Sequence, residues 1–128
     1  MANYLVDSDV LIWVLRNRTE TVDLLARLVK ESGEALACSA LSILEIGAGA
    51  KPSESQKTRL FLESFETIPV DRPVAQLAGD LLRLSRHQNN PREWVDALIA
   101  ATALQHHLPL LTYNRKDYPY RGLTLYPI

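Results

Sequence analysis

YLVDSDVLIW, residues 4–13, decides how the rest of the chain is read. Tyr4-Leu5-Val6 is a short apolar run ending at an acid, the pattern of a central parallel strand buried on both faces. Asp7-Ser8-Asp9 supplies residue types that cap helices, and the spacing predicts a helix from about Val10 to Arg16. A buried strand that runs through an acid into a helix is the first unit of an alternating α/β chain.

The same alternation continues. Thr19 or Thr21 opens a helix through Leu24, Leu25 and Leu28 that closes near Ser32-Gly33, and Ala35 to Ser39 reads as a strand. Helices are predicted from Leu41 to Lys51 and from Pro52-Ser53 through Phe65, with a strand at Thr67 to Val70. Asp71-Arg72-Pro73 starts a helix reaching about His87, since proline is tolerated in a first turn. Gln88-Asn89-Asn90-Pro91 is the clearest break. The helix bearing Asp96 follows, then strands at Leu110 to Thr112 and Leu123 to Tyr126. The expectation is a three-layer α/β/α sandwich around a mainly parallel sheet of four to five strands. With neither a repeat nor a dividing linker, residues 1–128 read as one domain.

Within that frame one stretch is hard to explain as structure alone. In DALIAATALQHH, residues 96–107, helical spacing puts Asp96 on the stripe of Ile99, Ala100 and Ala103, the face expected to meet the core. A carboxylate there is costly unless paired, protonated or bound to a cation. Asp7 ends the first strand, Glu45 lies on a small, apolar helical face, and Asp117 follows the strand ending at Thr112. Ligands of open α/β sheets bind beyond the carboxyl ends of the strands, where all four acids can meet. Two like charges about 4 Å apart repel by on the order of 4 kcal/mol at an effective dielectric of about 20. Carboxylates sharing a site therefore take up protons or a divalent cation, and an oxygen-only donor set favours Mg²⁺ or Mn²⁺ over Zn²⁺.

Each acid also has a plain structural account. Asp7 or Asp9 caps the first helix, Asp96 and Glu93 serve as first-turn acids favoured by the helix dipole, and Glu45 pairs with an arginine. Trp13 reads as core or subunit interface, and His106 and His107 as structural residues at a helix end. Tyr113-Asn114-Arg115-Lys116 mixes an aromatic ring with bases beside Asp117, a composition that suits stacking on bases and gripping phosphates.

The totals narrow the classes further. Fourteen Lys and Arg against 15 Asp and Glu leave the net charge at −1, so any nucleic-acid surface is local rather than global. The single Cys38 fits a reducing compartment. The N-terminus lacks a basic leader, and no apolar run is long enough for a membrane helix, so the expected location is the cytoplasm.

YLVDSDVLIW, SALSILEIGAGA (residues 39–50), VDALIAATALQHHLPLLTYNRKDY (residues 95–118) and the closing GLTLYPI resemble the PIN-domain family over nearly the whole chain. Length and motif order are most similar to the VapC-type toxins of prokaryotic toxin–antitoxin pairs. The resemblance implies an acid cluster binding Mg²⁺ or Mn²⁺, with Asp7, Glu45, Asp96 and Asp117 as its metal-binding and catalytic residues. It further implies hydrolysis of RNA by a metal-activated water, a homodimer, and a small antitoxin covering the active site. Asp9 stands where many relatives carry asparagine or another small polar residue, and Gln88 to Trp94 departs from the usual approach to the third acid. Asn114 is expected to orient Asp117. Two rivals stand beside this reading. One is a catalytically inactive binding scaffold; the other is a haloacid-dehalogenase-like phosphatase with Asp7 as nucleophile, for which no later Lys and Ser/Thr pair is in place.

Overall fold

The computed structural model describes residues 2–85 and 91–128. Its elements alternate as expected. They are β1 (Leu5–Val6), α1 (Ser8–Leu15), α2 (Thr19–Ser32), β2 (Ala37–Ser39), α3 (Ala40–Gly49), α4 (Ser55–Glu63), β3 (Glu66–Ile68), α5 (Arg72–Ser85), α6 (Pro91–Gln105) and β4 (Leu110–Leu111). Short 3₁₀ turns at Pro52–Glu54 and Arg115–Asp117 complete the list. The sheet order is β3-β2-β1-β4 and every pair is parallel.

Two-residue periodicity divides the core between the faces of the sheet. Val6, Cys38 and Leu111 point to one side, where Val10 and Leu11 of α1, Leu24, Leu25 and Leu28 of α2, Ile46 of α3 and Leu62 of α4 cover them. Leu5, Ala37 and Leu110 point to the other, against Ile99, Ala100 and Ala103 of α6. Val74 and Ala78 of α5 then pack on Ala97 and Ala101 of α6. The architecture is a three-layer α/β/α sandwich around four parallel strands. Gly33 ends α2 in the left-handed region at φ 71°, where its N–H donates to the Val29 carbonyl. A side chain would be strained there, so the glycine stops the helix and turns the chain toward β2.

Several expectations shift. Leu123 to Tyr126 does not form a fifth strand; it makes one parallel bridge, Leu110 to Leu125, and the next carbonyl along it, Tyr126, is taken by Arg115 Nη1. Strand β2 begins at Ala37 rather than Ala35, and β3 stops at Ile68 rather than Val70. Helix α1 begins at Ser8, two residues early, because Asp7 is its N-cap. Helix α6 begins at Pro91, which makes Glu93 a first-turn acid and moves Asp96 into the second turn. Trp13 is not core: the residue is 38% exposed, and its ring lies against the Arg18 guanidinium at 4.4 Å and the Tyr113 ring. His87 and most of the expected break at Gln88 to Pro91 lie outside the described residues.

Candidate active site

The site begins with strand register. Val6 pairs with Leu111 in the parallel β1–β4 ladder, so Asp7 and Thr112, the next residue of each strand, lie side by side. The Asp7 N–H donates to the Leu111 carbonyl at 2.9 Å. The Thr112 hydroxyl donates to Asp7 Oδ2 at 2.9 Å, the Tyr118 hydroxyl donates to the same oxygen at 2.8 Å, and Ser8 N–H donates to Oδ1 at 2.8 Å. A carboxylate has about four lone-pair sites, so Asp7 keeps one, on Oδ1. Burial lifts its pKa above the ordinary 3.8 even though those three bonds pull it down, and the Asp117 charge adds to the rise.

Tyr118, itself buried, therefore aims Asp7. Tyr118→Phe keeps the ring and deletes only that bond. For an Asp7 that ligates a divalent cation, the expected result is a 10–100-fold weaker apparent cation affinity, the usual cost of losing a partner that orients a ligand. Cation dependence of activity checks it; unchanged affinity counts against the aiming role.

The other acids arrive on separate elements. Asp7, Asp9, Glu45, Asp96, Asn114 and Asp117 line one cleft of about 200 Å³, with Arg92 as the cation among its lining residues. Asp96 comes from the second turn of α6, beyond the reach of the helix dipole, so that account of it falls away. Its carboxyl is pushed up to about 6, first by burial, then by the charges of Asp7 and Asp117, with Arg92 opposing and Glu45 adding a little. Asp117 ends the 3₁₀ turn Arg115–Asp117, its N–H donating to the Asn114 carbonyl at 3.0 Å. Asn114 thus places Asp117 through its backbone. Glu45 lies on an exposed face of α3, not the apolar one expected, and its Oε1 accepts from the Ser8 hydroxyl at 2.9 Å instead of pairing with an arginine.

Asp9 is more than a spare cap. It accepts from Val10 N–H and Tyr113 N–H, each at 2.9 Å, which ties the loop after β4 to α1. Burial and the Asp7 charge push its carboxyl up to about 6. Tyr113, Arg115 and Lys116 do not line the cleft. The Tyr113 hydroxyl bonds Thr21 at 2.8 Å, Arg115 Nη1 donates to the Tyr126 carbonyl at 2.8 Å, and Lys116 is exposed.

Sequence reasoning passed over Ser8, Thr112, Tyr118 and Arg92. For Thr112 a signal existed: it follows the strand expected beside β1, as Asp7 follows β1.

The donor set fits a hard divalent cation. It is all oxygen, its negative charge exceeds that of its one lining cation, and mutual repulsion contributes to the raised Asp7, Asp9 and Asp96 values. The acids share the cleft without closing on a point: among the described residues no three His, Cys, Asp or Glu side chains form a metal-holding group as they stand.

A parallel α/β/α sandwich with an acid-lined cleft beyond the carboxyl ends of β1 and β4 is the class that fold and site define. The chain belongs to the PIN-domain family, whose profile matches residues 4–119. It is 37% identical over 115 residues to Ribonuclease VapC10 of Mycobacterium tuberculosis, covering 90% of this chain and 85% of the relative. To Ribonuclease VapC19 of the same organism it is 33% identical, covering 90% and 91%. Among solved structures it is similar to a toxin–antitoxin complex from Klebsiella pneumoniae, with TM-score 0.80 and 28% identity over 98% of each chain.

Proposed function

We propose that this protein is a Mg²⁺- or Mn²⁺-dependent endoribonuclease and the toxin of a toxin–antitoxin pair. In this reading it works in the cytoplasm as a homodimer, silenced by a small antitoxin laid over the cleft. The observation that carries the catalytic reading is the gathering of Asp7, Glu45, Asp96 and Asp117, from four separate elements, around one cleft. The relatives named ribonucleases support the substrate class, and the toxin–antitoxin complex supports the partner.

Asp7 and Asp96 are the principal ligands, with Glu45 and Asp117 completing the set directly or through water. When bound, such an ion lowers the pKa of water and neutralises phosphate oxygens. The chain's own residues hold the reactants. Tyr118 and Thr112 fix Asp7 Oδ2, which leaves Oδ1 facing the task, and Ser8 restrains Glu45. Water oxygen bonds to phosphorus as the bond to the 3′-oxygen breaks, leaving a 5′-phosphate and a 3′-hydroxyl. The proton released by water passes to a cleft carboxylate, and the 3′-oxygen gains one from solvent.

The direct test is cleavage of single-stranded RNA by the full chain with Mg²⁺ or Mn²⁺ and with chelator. Cutting is expected only with the cation, at ends that carry 5′-phosphate; equal cutting in chelator contradicts the proposal. The spread of the acids favours one rival, an inactive binding scaffold, which predicts neither cleavage nor saturable cation uptake. The phosphatase reading gains nothing, because the cleft lining includes no lysine to accompany an Asp7 nucleophile.

A further inference from the structure

A hollow larger than the acidic cleft lies next to it. It measures about 650 Å³ and shares Ile12 and Glu45 with the acidic cleft, so the two form one continuous valley. Helical spacing builds it. Ser8, Ile12 and Arg16 follow at i, i+4 and i+8 along α1, and Glu45 and Gly49 follow at i and i+4 along α3. The 3₁₀ turn Pro52–Glu54 and the start of α4 form the third wall.

Charge changes sign along this valley. The cleft end is dominated by carboxylates, whereas Arg16, Lys51 and Lys57 line the far end. All three cations are exposed, and among the described residues none is in an ion pair. Glu54 is the acid at that end. Ser8 to Arg16 spans about 12 Å along α1 at about 1.5 Å per residue. That exceeds the Debye length of about 8 Å at physiological salt, so the acids at the start of α1 are screened from Arg16 through solvent, while Glu45 and Glu54 share its hollow.

A polyanion needs such help. The acidic cleft repels a phosphate chain at every phosphate other than the one being cut.

We infer that this valley is the track for the RNA strand on one side of the cut, with Arg16, Lys51 and Lys57 holding its phosphates. The inference rests on the ribonuclease reading and adds where the substrate lies. Partly exposed Ile12 and Leu15 give the sugar and base faces an apolar surface, and Gly49 contributes no bulk to block it.

The test is salt-dependent binding of a labelled single-stranded RNA by the full chain carrying Asp7→Asn, which stops cutting. Each phosphate contact lowers log K by about 0.7 per decade of salt, so three contacts account for a slope of about 2. Adding Arg16→Ala, Lys51→Ala and Lys57→Ala is expected to flatten the slope by about that amount. Between about 50 and about 200 mM salt the parent then loses roughly 20-fold more affinity than the triple variant. Arg27→Ala with Lys30→Ala, exposed cations on α2, is expected to leave the slope alone. In the cutting-competent chain, the triple change is expected to raise KM and spare kcat.

An unchanged slope and KM in a chain that still cuts RNA overturns the track and leaves the proposed function standing. Loss of a co-expressed protein partner with unchanged RNA binding also overturns it, making the valley a protein dock. A wild-type chain that neither binds nor cuts RNA removes both readings. Melting temperatures of the variants show whether the fold is intact.

Discussion

Asp96→Asn is expected to cut RNA cleavage on the order of 10³-fold, the scale of losing one preorganised electrostatic partner of a transition state, while the melting temperature rises. The two effects share a cause. Asp96 is half-buried beside the charges of Asp7 and Asp117, and its carboxyl is pushed up to about 6. Replacing it with a neutral isostere removes both the ligand and the repulsion, the trade of stability against function expected where charges are held together for chemistry. In a chain of this size each kcal/mol of repulsion relieved is worth about 3–5 °C. Asp7→Asn is expected to lose as much activity without that gain, because Ser8, Thr112 and Tyr118 all direct donors at the Asp7 carboxylate. Cleavage rates and thermal melts of the two variants check this. If Asp96→Asn melted lower than wild type and cut normally, Asp96 would be a structural acid.

The second large effect is on stability against pH. Asp7, Asp9 and Asp96 all titrate above their ordinary value of 3.8, Asp9 and Asp96 near 6. From about pH 4 to about pH 6 the folded chain therefore holds protons that the unfolded chain has released. Stability contributed by these groups is fully present below the unfolded value and is lost as pH rises through the folded values. In chelator the melting temperature is expected to fall across that window, and Asp9→Asn with Asp96→Asn is expected to flatten the fall. Divalent cations compete with the same protons, so the gain in melting temperature from Mg²⁺ or Mn²⁺ should grow as pH climbs past about 6. At a cation concentration of about 100 Kd the gain is about 2.7 kcal/mol. A cation effect of equal size at low and high pH contradicts the shared site.

The fold was legible in the sequence because it rests on short-range signals. The apolar run before Asp7, Gly33 after the α2 stripe, and Pro73 in the first turn of α5 each act through their own turn of chain. The end of the sheet was not, because Leu123 to Tyr126 has the composition of a strand but makes a single bridge to Leu110, with the Tyr126 carbonyl taken by the distant Arg115 side chain. The four acids could be assigned to one end of the sheet from their places just after strands and on the following helices. What surrounds them could not: Tyr118 reaches Asp7 across 111 positions, and Thr112 across 105. The burial of Glu45 was misjudged because small residues at Ala48 and Gly49 read as a packed face, whereas in the structure they are exposed. The loop after Thr112 looked like a substrate grip, yet Arg115 and Tyr113 are occupied holding Tyr126 and Thr21.

Calorimetric titration of the full chain with Mn²⁺ or Mg²⁺, alongside Asp7→Asn and Asp96→Asn, addresses the shared acidic cleft most directly. Saturable uptake by wild type, lost in both variants in step with RNA cleavage, is the expected result. Uptake unchanged in both variants, or RNA cut at full rate by a chain that takes up no ion, contradicts it.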